Sequence, residues 1–129
     1  MRTALIVPTL LVLLLVSKGQ ASAQQYEPGG YYNQCIGSFY DPDMYNWYSY
    51  RNSCSETIRV TYCARNSGGG CYAMTLRSGR KDSTGWSRDE VNRKGGFTVY
   101  ACREGWYPVD VRGEPVRPGT GAYRCRLSS

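Results

Sequence analysis

Six cysteines, at positions 35, 54, 63, 71, 102 and 125, set the terms on which this chain can fold. They stand in a chain short of aliphatic side chains: residues 24–129 hold only 12 Leu, Ile, Val and Phe together. A fraction that low is ordinarily that of a disordered segment. The same stretch keeps 12 tyrosines and three tryptophans, and each ring can bury a large area. Rings and cross-links are therefore expected to do what an aliphatic core does elsewhere. Three disulfides at about 2–4 kcal/mol each would supply the stability that a thin core lacks.

A metal site is the other use for cysteines, and the residues argue against it. The chain has no histidine and no C-x-x-C pair, and its cysteine spacings match no zinc pattern. Disulfides in turn require an oxidising compartment. Residues 4–16, ALIVPTLLVLLLV, have the length of the apolar region of a secretion signal, with Arg2 ahead of them and Ala21-Ser22-Ala23 as a small-x-small cleavage site. The expected organisation is a signal peptide over 1–23, a flexible arm over 24–34 carrying Pro28-Gly29-Gly30, and one disulfide-rich β domain over 35–129. The product is expected to be secreted or periplasmic, with no membrane-spanning segment.

Alternation marks the strands. Ile58, Val60 and Tyr62 share one side of residues 57–63, and Tyr72, Met74 and Leu76 share one side of 71–77. Ala64 to Gly70 between them is turn-forming. A hairpin that sets Cys63 opposite Cys71 also sets Tyr62 against Tyr72, Val60 against Met74 and Ile58 against Leu76. A one-residue slip destroys that agreement, so the register predicts a Cys63–Cys71 disulfide. The other four cysteines are assigned a nested scheme, Cys54–Cys102 and Cys35–Cys125, which ties the ends of the domain together. Ser-Gly-Arg-Lys-Asp-Ser-Thr-Gly (78–85) reads as a polar loop. Ser87 to Glu90 has the form of a capping box, giving one helical turn to about Lys94 before Gly95-Gly96. Strands follow over 97–102, 106–111, where Pro108 suits an edge, and 122–127. The fold class is all-β: a small disulfide-stapled antiparallel β-sandwich or barrel with at most one short helical turn.

The chemistry is constrained by what is missing. Without histidine, Ser-His-Asp and Cys-His catalysis are excluded. No phosphate loop, dinucleotide fingerprint or nucleophile elbow is present, and no cofactor is expected. Asp41 with Asp43, and Asp89 with Glu90, are the candidate carboxylate pairs for a hydrolase. Asp41-Pro42-Asp43 reads more simply as a turn than as half of a calcium site, and Asp89 and Glu90 as complements to a helix N-terminus. A nuclease using Arg88, Glu90 and Arg93 is the weakest of these readings.

Charge is uneven. Segment 24–50 contains Glu27, Asp41 and Asp43 and no Lys or Arg, whereas 51–129 carries a net +7. This asymmetry suits either a solvated basic surface or an anionic partner such as an acidic glycan or envelope polymer, with nucleic acid disfavoured. The segment with the strongest claim to function is 39–52, which holds seven aromatic or cationic binding-type side chains: Phe39, Tyr40, Tyr45, Trp47, Tyr48, Tyr50 and Arg51. Tyrosine and tryptophan suit contact surfaces because a flat apolar face ends in a polar tip. Tyr45, Trp47, Tyr48, Tyr50 and Arg51 are the candidate ligand-binding residues, against the plainer reading that these rings form the core. The expected function is a non-enzymatic exported module binding a glycan or protein. The alternatives are a cationic effector or toxin acting on anionic envelope polymers or membrane, and a carboxylate-based hydrolase.

Overall fold

The computed structural model describes residues 25–128; the signal segment expected over 1–23 lies outside them. The alternating hairpin forms its centre. Strands β4 (Ile58–Ala64) and β5 (Cys71–Leu76) pair with Cys63 opposite Cys71, Tyr62 opposite Tyr72, Val60 opposite Met74 and Ile58 opposite Leu76. Strand β7 (Phe97–Arg103) adds antiparallel on the other side of β4, giving a central sheet in the order β5-β4-β7.

Two further three-stranded antiparallel sheets complete the fold. One is β2 (Ile36–Asp41), β3 (Trp47–Asn52) and β6 (Lys81–Ser83), in the order β2-β3-β6. The other is β1 (Tyr26–Pro28), β8 (Trp106–Val109) and β9 (Arg124–Leu127), in the order β1-β9-β8. The fold is all-β, and the sheets do not close into a barrel. Its main core lies between β2-β3-β6 and the central sheet: Tyr50, Ile58, Val60, Tyr62, Leu76 and Phe97 are buried there, with Tyr40, Tyr48, Met74 and Trp86 packed around them. Ring pairs such as Tyr50–Tyr62 at 5.2 Å and Trp86–Phe97 at 5.1 Å supply the contacts that aliphatic side chains would otherwise make. A smaller cluster on the opposite face of the central sheet joins Cys63, Tyr100 and Val116.

Helix α1 (Arg88–Arg93) starts at the capping box. The Ser87 hydroxyl accepts from the Glu90 N–H, and the Glu90 carboxylate accepts from the Ser87 N–H, both at 3.3 Å. Gly95 and Gly96 follow at positive φ, where a side chain would be strained.

Four expectations need correcting. The arm expected over 24–34 is part of the fold from Tyr26 onward: β1 pairs with β9, Glu27 bonds Arg103 at 2.7 Å, and the Gly30 N–H donates to the Tyr123 hydroxyl at 2.9 Å. Gly29 lies so close to the Tyr123 carbonyl that no Cβ fits between them. Within the expected loop 78–85, Lys81–Ser83 pair with β3. The strands expected over 106–111 and 122–127 are shorter, ending at Val109 and starting at Arg124; Pro108 does lie on an edge strand. Finally, Cys63 is bonded to Cys71, but the nested scheme gives way to Cys35–Cys54 and Cys102–Cys125. The reason is strand pairing. Ile36 sits opposite Asn52, which brings the neighbouring Cys35 to Cys54, and the Ser53 N–H donates to the Cys35 carbonyl at 2.8 Å.

Candidate aromatic binding face

Strand alternation divides the 39–52 rings between two sides of one sheet. Tyr40, Tyr48 and Tyr50 turn toward the core. Phe39, Asp41, Trp47, Ser49 and Arg51 therefore occupy the opposite, outer side, joined across β3–β6 by Lys81, the partner of Arg51. Of the five candidate residues, Tyr45, Trp47 and Arg51 share this side, Tyr45 against Trp47 at one end and Arg51 over Phe39 further along. Tyr50 does not: it is 0 % exposed, and burial pushes its phenol pKa far up, so it is a core residue and not a contact residue. Tyr48 is half-buried between Tyr40, Tyr50 and Phe97, at ring separations of 5.3, 5.3 and 5.9 Å.

The tip of the β2–β3 connection shapes the outer face. Asp41 caps a single 3-10 turn over Pro42–Met44, its carboxylate accepting from the Asp43 N–H at 3.0 Å. Tyr45 and Asn46 follow at φ 53° and 58°, both in the left-handed region that non-glycine residues disfavour. The Asn46 N–H closes the turn onto the Asp41 carbonyl at 2.8 Å. This geometry leaves Tyr45 79 % exposed, with its ring 5.0 Å from Trp47.

Charges on the face are balanced. Lys81 Nζ lies 2.9 Å from carboxylate oxygens of both Asp41 and Asp43. Asp41 is 1 % exposed, and the Lys81 hydrogen bond, helped by the Asp43 N–H, holds its carboxyl below the ordinary range. Hydrogen bonds to Asp43 and Asp41 raise Lys81 in turn. The cation between these two carboxylates is thus a lysine, which answers the calcium reading. The Arg51 guanidinium sits 5.6 Å from the Phe39 ring centre. Two cations and two carboxylates leave the face near neutrality, with Phe39, Trp47 and Tyr45 as its apolar surface.

No family model, curated protein or solved structure matches the chain. The site rests on its own geometry. The other candidate carboxylates are committed to structure: Glu90 to the capping box, and Asp89 to the first turn of α1. Asp110, like Asp41, is held below the ordinary range, by the N–H groups of Glu114 and Arg112. A general acid at neutral pH needs the opposite displacement. Phe39 and Lys81 are members of the face that the sequence reading did not select. Phe39 carried a usable signal, because it is in phase with Asp41 on β2. Lys81 carried none, since β6 is three polar residues long.

Proposed function

We propose that this chain is an exported, non-enzymatic binding module whose outer β2-β3-β6 face takes a neutral carbohydrate. The observation that carries this reading is the exposed Tyr45, held beside Trp47 by two successive left-handed residues. For a residue such as Tyr45 this conformation costs of order 1–3 kcal/mol, and such strain concentrates at functional sites. Rings stack on sugar faces, while Arg51, Lys81 and Asp43 supply donors and acceptors for hydroxyls. The balance of charge favours a neutral sugar over a polyanion at this face, and the three disulfides suit an oxidising compartment.

Replacing Tyr45 separates contact from folding. Asn tolerates the left-handed region, so Tyr45→Asn should raise stability by about 1 kcal/mol while removing the ring. The expected result, from a glycan array followed by calorimetry on the ligand it identifies, is lost binding in a protein with an unchanged or higher melting temperature. A sugar that binds Tyr45→Asn and Trp47→Ala as well as the wild type would remove this face from the reading.

A further inference from the structure

The face of the central sheet turned away from the main core is only partly covered. Val116 plugs one part of it, against Tyr100 and Cys63. Beside that plug lie two adjoining cavities, of about 480 and 230 Å³, that share Arg59, Tyr107 and Pro115 in their walls. The β4–β5 register builds one side, because Arg59 faces Thr75 and Thr61 faces Ala73, all four on the same surface. Trp106 and Tyr107 of β8 form the other side, and Glu104 stands at one end. Both rings are held in place: the Arg103 guanidinium lies 4.7 Å from the Trp106 ring centre, and Arg126 bonds the Tyr107 hydroxyl.

Two polar groups in this groove have no counterpart among the described residues. Arg59 takes part in none of the ion pairs among the described residues, although it borders both cavities. Thr61 is 7 % exposed, and its hydroxyl has no hydrogen-bond partner among the described residues. A threonine hydroxyl and methyl exchange places by one χ1 rotation, so the hydroxyl is one rotamer away from the groove.

The geometry points to a binding site for a carboxylated sugar of one or two rings in this groove. Arg59 is the carboxylate partner, since a guanidinium bonds a carboxylate through two parallel N–H donors. Thr61, Thr75 and Glu104 serve the ring hydroxyls, and β8, whose Trp106 and Tyr107 point to opposite sides of the strand, offers one of these rings as a flat surface to the sugar. The larger cavity falls in the size range of small-ligand sites, ~300–1,000 Å³. An acidic peptide fits less well. The edge strand in its wall, β8, carries Pro108, which has no N–H to donate and whose carbonyl already accepts from the Val116 N–H at 3.4 Å, so an added strand would find a broken ladder. The site lies on the opposite side of the central sheet from the aromatic face and stands or falls independently of it.

The test uses the ¹⁵N-labelled protein titrated with digalacturonic acid and, separately, with neutral galactobiose. Digalacturonic acid is expected to shift the amides of Arg59, Thr61, Thr75, Trp106 and Tyr107 saturably, with galactobiose binding at least about tenfold more weakly. Arg59→Gln should lose that discrimination, and Arg59→Lys should restore part of it. Ala73→Trp, at an exposed position on the groove side, should block both sugars while the remaining amide spectrum stays dispersed. Equal affinity for the two sugars would overturn the proposal. So would tighter binding of tetraglutamate than of digalacturonic acid, unchanged affinity in Ala73→Trp, or shifts confined to Phe39, Tyr45 and Trp47.

Discussion

Asn52 is the side chain whose loss the fold should feel most sharply. It ends β3 fully buried, and its side chain makes three hydrogen bonds to backbone groups. Its Nδ2 donates to the carbonyls of Glu56 and Leu76, and its Oδ1 accepts from the Cys54 N–H, each at 2.8 Å. One amide therefore ties the aromatic sheet to the last residue of β5 and to the turn leading into β4. Asn52→Ala strands three backbone groups. The Leu76 carbonyl is deeply buried there, worth about 1–3 kcal/mol, and the two half-buried groups are worth about 1 kcal/mol each, giving a loss of about 3–5 kcal/mol. With a urea m-value of about 2 kcal/mol per molar, the unfolding midpoint should fall by about 2 M. Asn52→Asp adds a signature that packing loss cannot imitate. A carboxylate there would face two carbonyl oxygens and bind a proton more tightly when folded than when unfolded. The folded-state pKa is then raised, so the variant is most stable below about pH 4, the unfolded carboxylate's pKa, and loses stability as pH rises through the folded value. Urea melts of the wild type, Asn52→Ala and Asn52→Asp at pH 4 and pH 7 decide the matter. A loss below 1 kcal/mol in Asn52→Ala, or an Asn52→Asp deficit that does not shrink at pH 4, would refute the reasoning.

Tyr50→Phe removes a buried hydroxyl that has no partner among the described residues, and should stabilise the protein by about 1–2 kcal/mol while leaving sugar binding intact, as read by urea melts and calorimetry. Ser87→Ala breaks the capping box and should cost about 1 kcal/mol by the same melts. Because Lys81 lowers the Asp41 pKa, the stability from that pair is complete above about pH 4 and is lost as pH falls through the depressed folded value; acid melts should be shallower in Asp41→Asn. Complete reduction removes three cross-links worth about 2–4 kcal/mol each and should unfold the protein at 37 °C, with loss of near-ultraviolet circular dichroism.

Local pattern carried the sequence reading as far as local forces reach. The β4–β5 register was legible because three apolar pairs and two cysteines agree on one alignment, and the α1 cap because its two hydrogen bonds join neighbours. Alternation along a strand also separates the 39–52 rings by side. It could not tell which side is inside, because both carry aromatics: Tyr40, Tyr48 and Tyr50 on one, Phe39 and Trp47 on the other. The β1–β9 pairing joins Tyr26 to Arg126, and no periodicity over three residues announces a partner so far along the chain. The β6 strand failed for a similar reason, since polar edge residues answer to the neighbouring strand more than to their own pattern. Cys35–Cys54 followed from the β2–β3 hairpin, whose register has the single ring pair Tyr40–Tyr48 to mark it, too little to fix an alignment.

The disulfides join partners 19, 8 and 23 residues apart, first to second, third to fourth and fifth to sixth. That order would matter to a chain that entered an oxidising space N-terminus first, as the proposed export requires. On that route Cys35 and Cys54 would meet before any other thiol arrived, and each later pair would complete itself before the next began. Oxidation in order of arrival yields the native connectivity at every stage. A chain built this way has little use for a catalyst that reshuffles its bonds.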